Sequence, residues 1–136
     1  MSVRLILLSA ALVMLTGVAI GAFGAHGLGK ALDRLGRTDN LEKRAEWLET
    51  GVRYQLYHGL ALLGLACLAM QFPQRQLGFA AIAFLLGVVL FSGSLYAMTL
   101  GPEPWRKLGM ITPIGGLAFL VVWGRLAYYA WTKIEA

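Results

Sequence analysis

What most constrains this chain is where it carries no charge. Residues 5–29, 54–74, 76–102 and 108–124 contain no Asp, Glu, Lys or Arg. Each run is close to or above the roughly 17 to 25 residues that a helix needs to cross a bilayer. A soluble helical bundle would instead show polar residues along one face of every helix. Here the runs are apolar all round, in a chain of 136 residues that is 58% hydrophobic and 14% charged, whereas about a quarter of a soluble protein's residues are charged. The expected fold class is all-α: an integral membrane four-helix bundle, one domain over 1–136, with spans at about 5–25, 54–72, 77–100 and 108–131.

The first span begins after Arg4 and ends in small residues, as a secretory signal would. Its apolar run is longer than the roughly 7 to 15 residues of a signal core, so a retained helix is expected. Cys67 stands alone within the second span and reads as a small packing residue.

The net charge of +5 is not the footprint of a nucleic-acid binder, because cations and acids alternate in the first connection. For orientation, Lys and Arg near the span ends are counted. Lys30, Arg34, Arg37, Lys43, Arg44, Arg53, Arg106 and Lys107 fall on one side, and Arg4, Arg75, Arg125 and Lys133 on the other. The first set should be cytoplasmic, which leaves both termini periplasmic.

The first connection carries its own pattern. Asp39 and Glu42 resemble a helix-starting box, and Leu41, Ala45, Leu48 and Val52 recur at helical spacing opposite charged residues. This predicts a short amphipathic surface helix at about 40–52, between the first two spans, with Trp47 near the head groups or the face docked on a partner.

Small residues punctuate the spans. Gly17, Gly21 and Ala25 repeat every four residues, and Gly115 and Gly116 stand near the start of the last span, so both sets are expected at close helix–helix contacts. Pro113 is expected inside the last span, where it would free a carbonyl one turn back. Trp123 to Trp131, with Tyr128, Tyr129 and Arg125, reads as an aromatic belt at the far interface.

Polar residues gather at one depth. His26, then Arg53, Tyr54, Gln55 and His58, then Ser92, Ser94 and Tyr96, and finally Thr112 come from four spans, and alternation of direction brings them to the same end. Polar groups inside a membrane are costly and ask for a reason. They are the candidate ligand-binding residues of a small polar cavity opening towards the cytoplasm, with Arg53 for an anion and Tyr54, Gln55 and His58 for hydrogen bonds. The competing reading is that they hydrogen-bond one another and fix the helix register.

Four blocks carry a family resemblance: Gly21 to Gly27, Thr50 to His58, Phe91 to Tyr96 and Ile111 to Gly116. In order and spacing they resemble the Domain of Unknown Function 423 family of small bacterial inner-membrane proteins, which has relatives among eukaryotic transmembrane proteins. The resemblance implies four transmembrane helices in a bacterial cytoplasmic membrane and no known activity.

Three uses of the polar end compete. The first is binding, or transport, of a small polar solute or lipid head group. The second is an accessory or assembly subunit of a larger membrane complex, with a homo-oligomer or another membrane protein as partner. The third, a haem or metal site at His26 and His58, rests on a thin ligand set. No cofactor and no enzymatic activity are expected, since the spans hold no carboxylate pair and no evident nucleophile with its base. The lipid bilayer is the one partner that composition itself requires, and nucleic acid is not expected.

Overall fold

The computed structural model describes residues 1–72 and 77–133. The chain forms α1 (Val3–His26), α2 (Leu28–Arg34), α3 (Leu41–Gln71), α4 (Gly78–Leu100), a 3-10 helix (Glu103–Met110) and α5 (Thr112–Lys133). No strand occurs among the described residues. The expected turn at Pro73 to Gln76 lies outside them, as do residues 134–136.

The fold is an all-α membrane helical bundle. Among the described residues, α1, α4 and the stretch Glu103–Thr132 are long and apolar enough to cross a membrane. The fourth long helix, α3, is diluted by charges in its first turns and by Tyr54, Gln55, Tyr57 and His58 beyond them. α1 packs along α3, α3 along α4, and α4 along α5, so the long helices form an open row with α1 and α5 at its ends. One core joins all four through Ile6 and Ala10, Leu62 and Leu65, Ala81 and Phe84, and Phe119 and Val122.

The first connection differs from its sequence reading. The expected surface helix at 40–52 and the span at 54–72 are one uninterrupted 31-residue helix. At 1.5 Å per residue such a helix is about 46 Å long, well beyond the apolar layer, so its charged first turns reach past that layer. No helix breaker lies between Leu41 and Phe72 except Gly51, Gly59 and Gly64, which packing tolerates. The Asp39–Glu42 box does not form. Asn40 stands at the helix start in the left-handed region, with φ 53°, and the Asp39 carboxylate turns elsewhere.

A short helix, α2, fills the rest of the connection. Leu28 and Leu32 are buried beside Leu48 of α3, with Ile20, Val52, Tyr96 and Leu100 around them. It ends where Gly36 adopts φ 63°: Arg37 N–H donates to the Leu32 carbonyl and Gly36 N–H to that of Asp33. This Schellman pattern needs a residue free of the Cβ penalty, which glycine supplies.

Pro113 also sits differently from expectation. The last α-helix starts at Thr112 rather than near 108, because residues 103–110 wind as a 3-10 helix. Pro113 therefore occupies the first turn of α5, where an N–H would have no partner within the helix in any case.

Candidate functional site: a closed polar network and an open aromatic cleft

The polar residues expected at one end fall into three groups. The first group links α1, α3 and α4 through Gln55, which is 4% exposed. Its amide N–H groups donate to the Val13 carbonyl and the Thr16 hydroxyl, both at 2.8 Å, and its oxygen accepts from the Tyr96 hydroxyl at 2.8 Å. Three of the four hydrogen bonds available to a glutamine side chain are thereby made. Thr16 passes its own proton back to the Leu12 carbonyl. One turn away, buried Ser92 donates to the Gly51 carbonyl at 2.7 Å. A Cβ on Gly51 would stand 2.6 Å from the Tyr96 ring, so glycine lets Tyr96 reach Gln55.

The same interface extends to the helix ends. Arg44, 1% exposed, reaches under the C-terminus of α4. Its Nη1 donates to the carbonyls of Met98, Thr99 and Gly101 at 3.2, 2.7 and 3.0 Å. These are carbonyls a helix end leaves without internal partners, and they lie at the negative pole of its dipole. Nε donates to the Asp39 carbonyl and Nη2 to the Asp39 carboxylate, which also pairs with Arg106 of the 3-10 helix. Thr99 returns a bond to the Arg44 carbonyl at 3.2 Å. Desolvation works to raise the Asp39 pKa, but the hydrogen bond from Asn40 and the neighbouring Arg44 and Arg106 outweigh it and hold the carboxyl below its usual value.

The second group sits between α4 and α5. Ser94 donates to the Phe91 carbonyl at 2.9 Å, so the 2.7 Å contact with Thr112 is a bond donated by the Thr112 hydroxyl.

The third group surrounds His58, which meets α5 rather than α1. Nδ1–H donates to the Tyr54 carbonyl at 2.8 Å, and Nε2 accepts from the Trp123 indole N–H at 3.3 Å. Those partners define the neutral tautomer. The ring stacks on Phe119 with centroids 3.4 Å apart and meets Phe84 at 5.3 Å. Beside it a cleft of about 550 Å³ opens between α3 and α5, with Phe91 of α4 on its wall. Tyr54 lines it, its ring 4.4 Å from Phe91, and its hydroxyl makes no hydrogen bond among the described residues. The lining is chiefly apolar and aromatic, not the polar cavity expected from sequence.

Two expected members stand apart. Arg53 is exposed and paired with Glu49 one turn back. His26 is exposed at the end of α1. It is also far from His58: Gly24 packs on Leu48, and the ten residues from there to His58 rise about 15 Å. The pair cannot share a metal, and no cluster of three or more metal-ligating side chains occurs among the described residues.

The small residues divide likewise. Cβ atoms on Gly17 and Gly21 would meet Leu56 and Val52 of α3 at 2.8 and 3.3 Å. Gly24, not Ala25, continues this contact, against Leu48, while Ala25 is exposed. Gly115 lies against the Phe91 backbone, whereas a Cβ on Gly116 would have ordinary room, 3.7 Å from the Phe91 ring, and this residue lines the cleft.

Sequence reasoning passed over Thr16, Arg44 and Trp123. Arg44 read as one of several charges on a solvated face, and Trp123 as interfacial. Their spacing gave a weak signal: Arg44, Leu48, Gly51 and Gln55 share one helical face.

Residues 20–116 match the family described as "Protein of unknown function (DUF423)". The chain belongs to this family. It is similar to a UPF0382 membrane protein of Haemophilus influenzae, with 42% identity over 120 residues covering 86% of this chain and 88% of that one. It is also similar to the UPF0382 inner membrane protein YgdD of Escherichia coli K12, with 37% identity over 123 residues, 90% of this chain and 86% of that one. The UPF0382 membrane protein YwdK of Bacillus subtilis is 40% identical over 111 residues, 80% of this chain and 81% of that one. No solved structure matches. Together with the apolar helices, these relatives identify this DUF423 chain as an integral protein of the inner membrane, embedded in lipid. The family match includes Arg44, Gln55 and His58 and ends at Gly116, before Phe119 and Trp123.

Proposed function

We propose that the protein crosses the inner membrane four times and is a non-enzymatic binder of a lipid or lipid-like molecule, held in the cleft between α3 and α5. The fourth crossing follows from packing, since α3 lies between α1 and α4 and its Leu62 and Leu65 share their core. The positive side is the end bearing α2 and the 3-10 helix, which we take as cytoplasmic, with periplasmic termini.

The observation that carries the binding reading is the cleft. Its volume lies within the roughly 300 to 1,000 Å³ of small-molecule sites. Tyr54, Phe91, Phe119 and Trp123 offer flat apolar surface, and the Tyr54 hydroxyl offers one hydrogen-bonding group. A bilayer-soluble molecule with a flat or flexible apolar body and a polar group fits this lining better than a free polar solute. Gln55, Ser92, Ser94, Tyr96 and Thr112 already bond within the protein. The non-enzymatic part of the reading is supported by the engagement, among the described residues, of the Ser92 hydroxyl with a carbonyl and of both His58 nitrogens with their own partners.

An accessory-subunit role is the second reading. It is favoured by α5, which packs along α4 on one side and exposes Ile114, Val121 and Tyr128, none of them lining the cleft, on the other. The test is extraction of the protein from its own membrane in mild detergent, followed by identification of retained lipids. Gly116→Leu fills the cleft where a Cβ has room, and should release a lipid that the parent protein retains. A lipid retained equally by both removes the cleft as its site, and a stoichiometric protein partner on α5 favours the second reading.

A further inference from the structure

Helix α2 presents a second surface, independent of the cleft. It follows α1 after Gly27 alone, and its buried Leu28 and Leu32 pack beside Leu100, the last residue of α4. Its axis therefore lies at the level where α1 and α4 leave the apolar layer. On its outward side Lys30 and Arg34 are exposed at i and i+4, neighbours on one helical face, and Arg37 follows at the chain reversal.

The charge around these cations is not compensated. Elsewhere in the connections most cations have acidic partners, Lys43 with Glu46, Arg53 with Glu49, Arg44 with Asp39, and Arg106 with Asp39 and Glu103, while Lys107 stands singly on the 3-10 helix with none among the described residues. Among the described residues Lys30, Arg34 and Arg37 form no ion pair, not even with Asp33 on the same helix. Leu35 beside them is 50% exposed, an apolar group at the same boundary. Free cations beside an exposed leucine, at the edge of the hydrocarbon layer, complement a negatively charged lipid surface.

We propose that α2 is a docking face for anionic phospholipid head groups, engaged by Lys30, Arg34 and Arg37. Phosphate oxygens accept from the guanidinium and ammonium groups while Leu35 enters the acyl boundary. One basic residue near an anionic surface is worth roughly fivefold in binding, so removing three produces an effect large enough to read.

The experiment places the full chain in nanodiscs of mixed phosphatidylcholine and phosphatidylglycerol and counts the lipids retained on release into the mass spectrometer. The parent protein is expected to retain phosphatidylglycerol several-fold over its share of the bilayer. The triple variant Lys30→Gln, Arg34→Gln, Arg37→Gln should lose that enrichment, and Arg4→Gln with Arg125→Gln, at the other end, should keep it. Lys30→Arg with Arg34→Lys guards against misfolding, since it preserves charge and should preserve enrichment. Enrichment that survives the triple variant overturns the proposal, as does enrichment abolished by the Arg4 and Arg125 changes. Displacement by free glycerol phosphate would mark a soluble-anion site and overturn it too.

Discussion

The two sides of α3 use similar residue types to opposite ends. Towards α1 and α4, Gln55, Ser92, Tyr96 and Arg44 meet partners on the neighbouring helix, and glycines at 17 and 51 bring those helices close. Towards α5, Tyr54 and His58 face aromatic rings across a gap that remains open. The difference is one of backbone approach. Where glycine removes a side chain the polar groups pair and the interface closes, and where Phe91, Phe119 and Trp123 hold α5 away from α3 a cleft is left. Intramembrane polarity alone does not therefore mark a ligand site.

The contrast should be broken most severely from the closed side. Arg44→Ala strands the carbonyls of Met98, Thr99 and Gly101 and deprives Asp39 of a buried partner. A loss of about 3 kcal/mol is expected, since buried carbonyls lose a charged donor, read as a fall in the midpoint of unfolding in detergent. Arg44→Lys should rescue part of it, because a single ammonium cannot reproduce the fork.

Gln55→Leu comes next, at about 2 kcal/mol for three interhelical hydrogen bonds. Its double-mutant cycle with Tyr96→Phe should give a coupling of about 0.6 kcal/mol. Zero coupling would mean that the bond contributes nothing beyond packing.

The open side should respond less. His58→Phe keeps a ring against Phe119 and loses the Trp123 bond, for about 0.6 kcal/mol, and the Trp123 fluorescence should change as its indole N–H loses a partner.

The smallest effect is on pH. The Asp39 carboxyl titrates below its ordinary value of 3.8 in the folded protein. Its contribution to stability is full above the unfolded value and is lost as pH falls through the lower, folded one. Asp39→Asn should flatten the acid limb of the stability curve, lowering stability modestly above the unfolded value, where the contribution is full, and leaving it unchanged below the folded one.

The membrane fold was legible because long charge-free runs leave few alternatives. Which way each polar group faces was not legible. Gln55 and His58, three residues apart on α3, point to different neighbours, and only the placement of Thr16 and Trp123 separates them. Arg44 was hidden for another reason: its partners are backbone carbonyls some 54 to 57 residues away, and carbonyls have no sequence signature. The division of the first connection into α2 and an extended α3 hinged on Gly36 and on helix propensity through Gly51, a local balance that periodicity does not resolve.

The most direct measurement is a comparison of native mass spectra from Gln55→Leu and Gly116→Leu, both released from their own membrane under the same mild conditions. If the polar network is structural and the cleft holds the ligand, Gln55→Leu retains the bound lipid of the parent protein while Gly116→Leu loses it and keeps its unfolding midpoint. Loss of the lipid in a folded Gln55→Leu, with retention in Gly116→Leu, would contradict the account and return the site to the polar network.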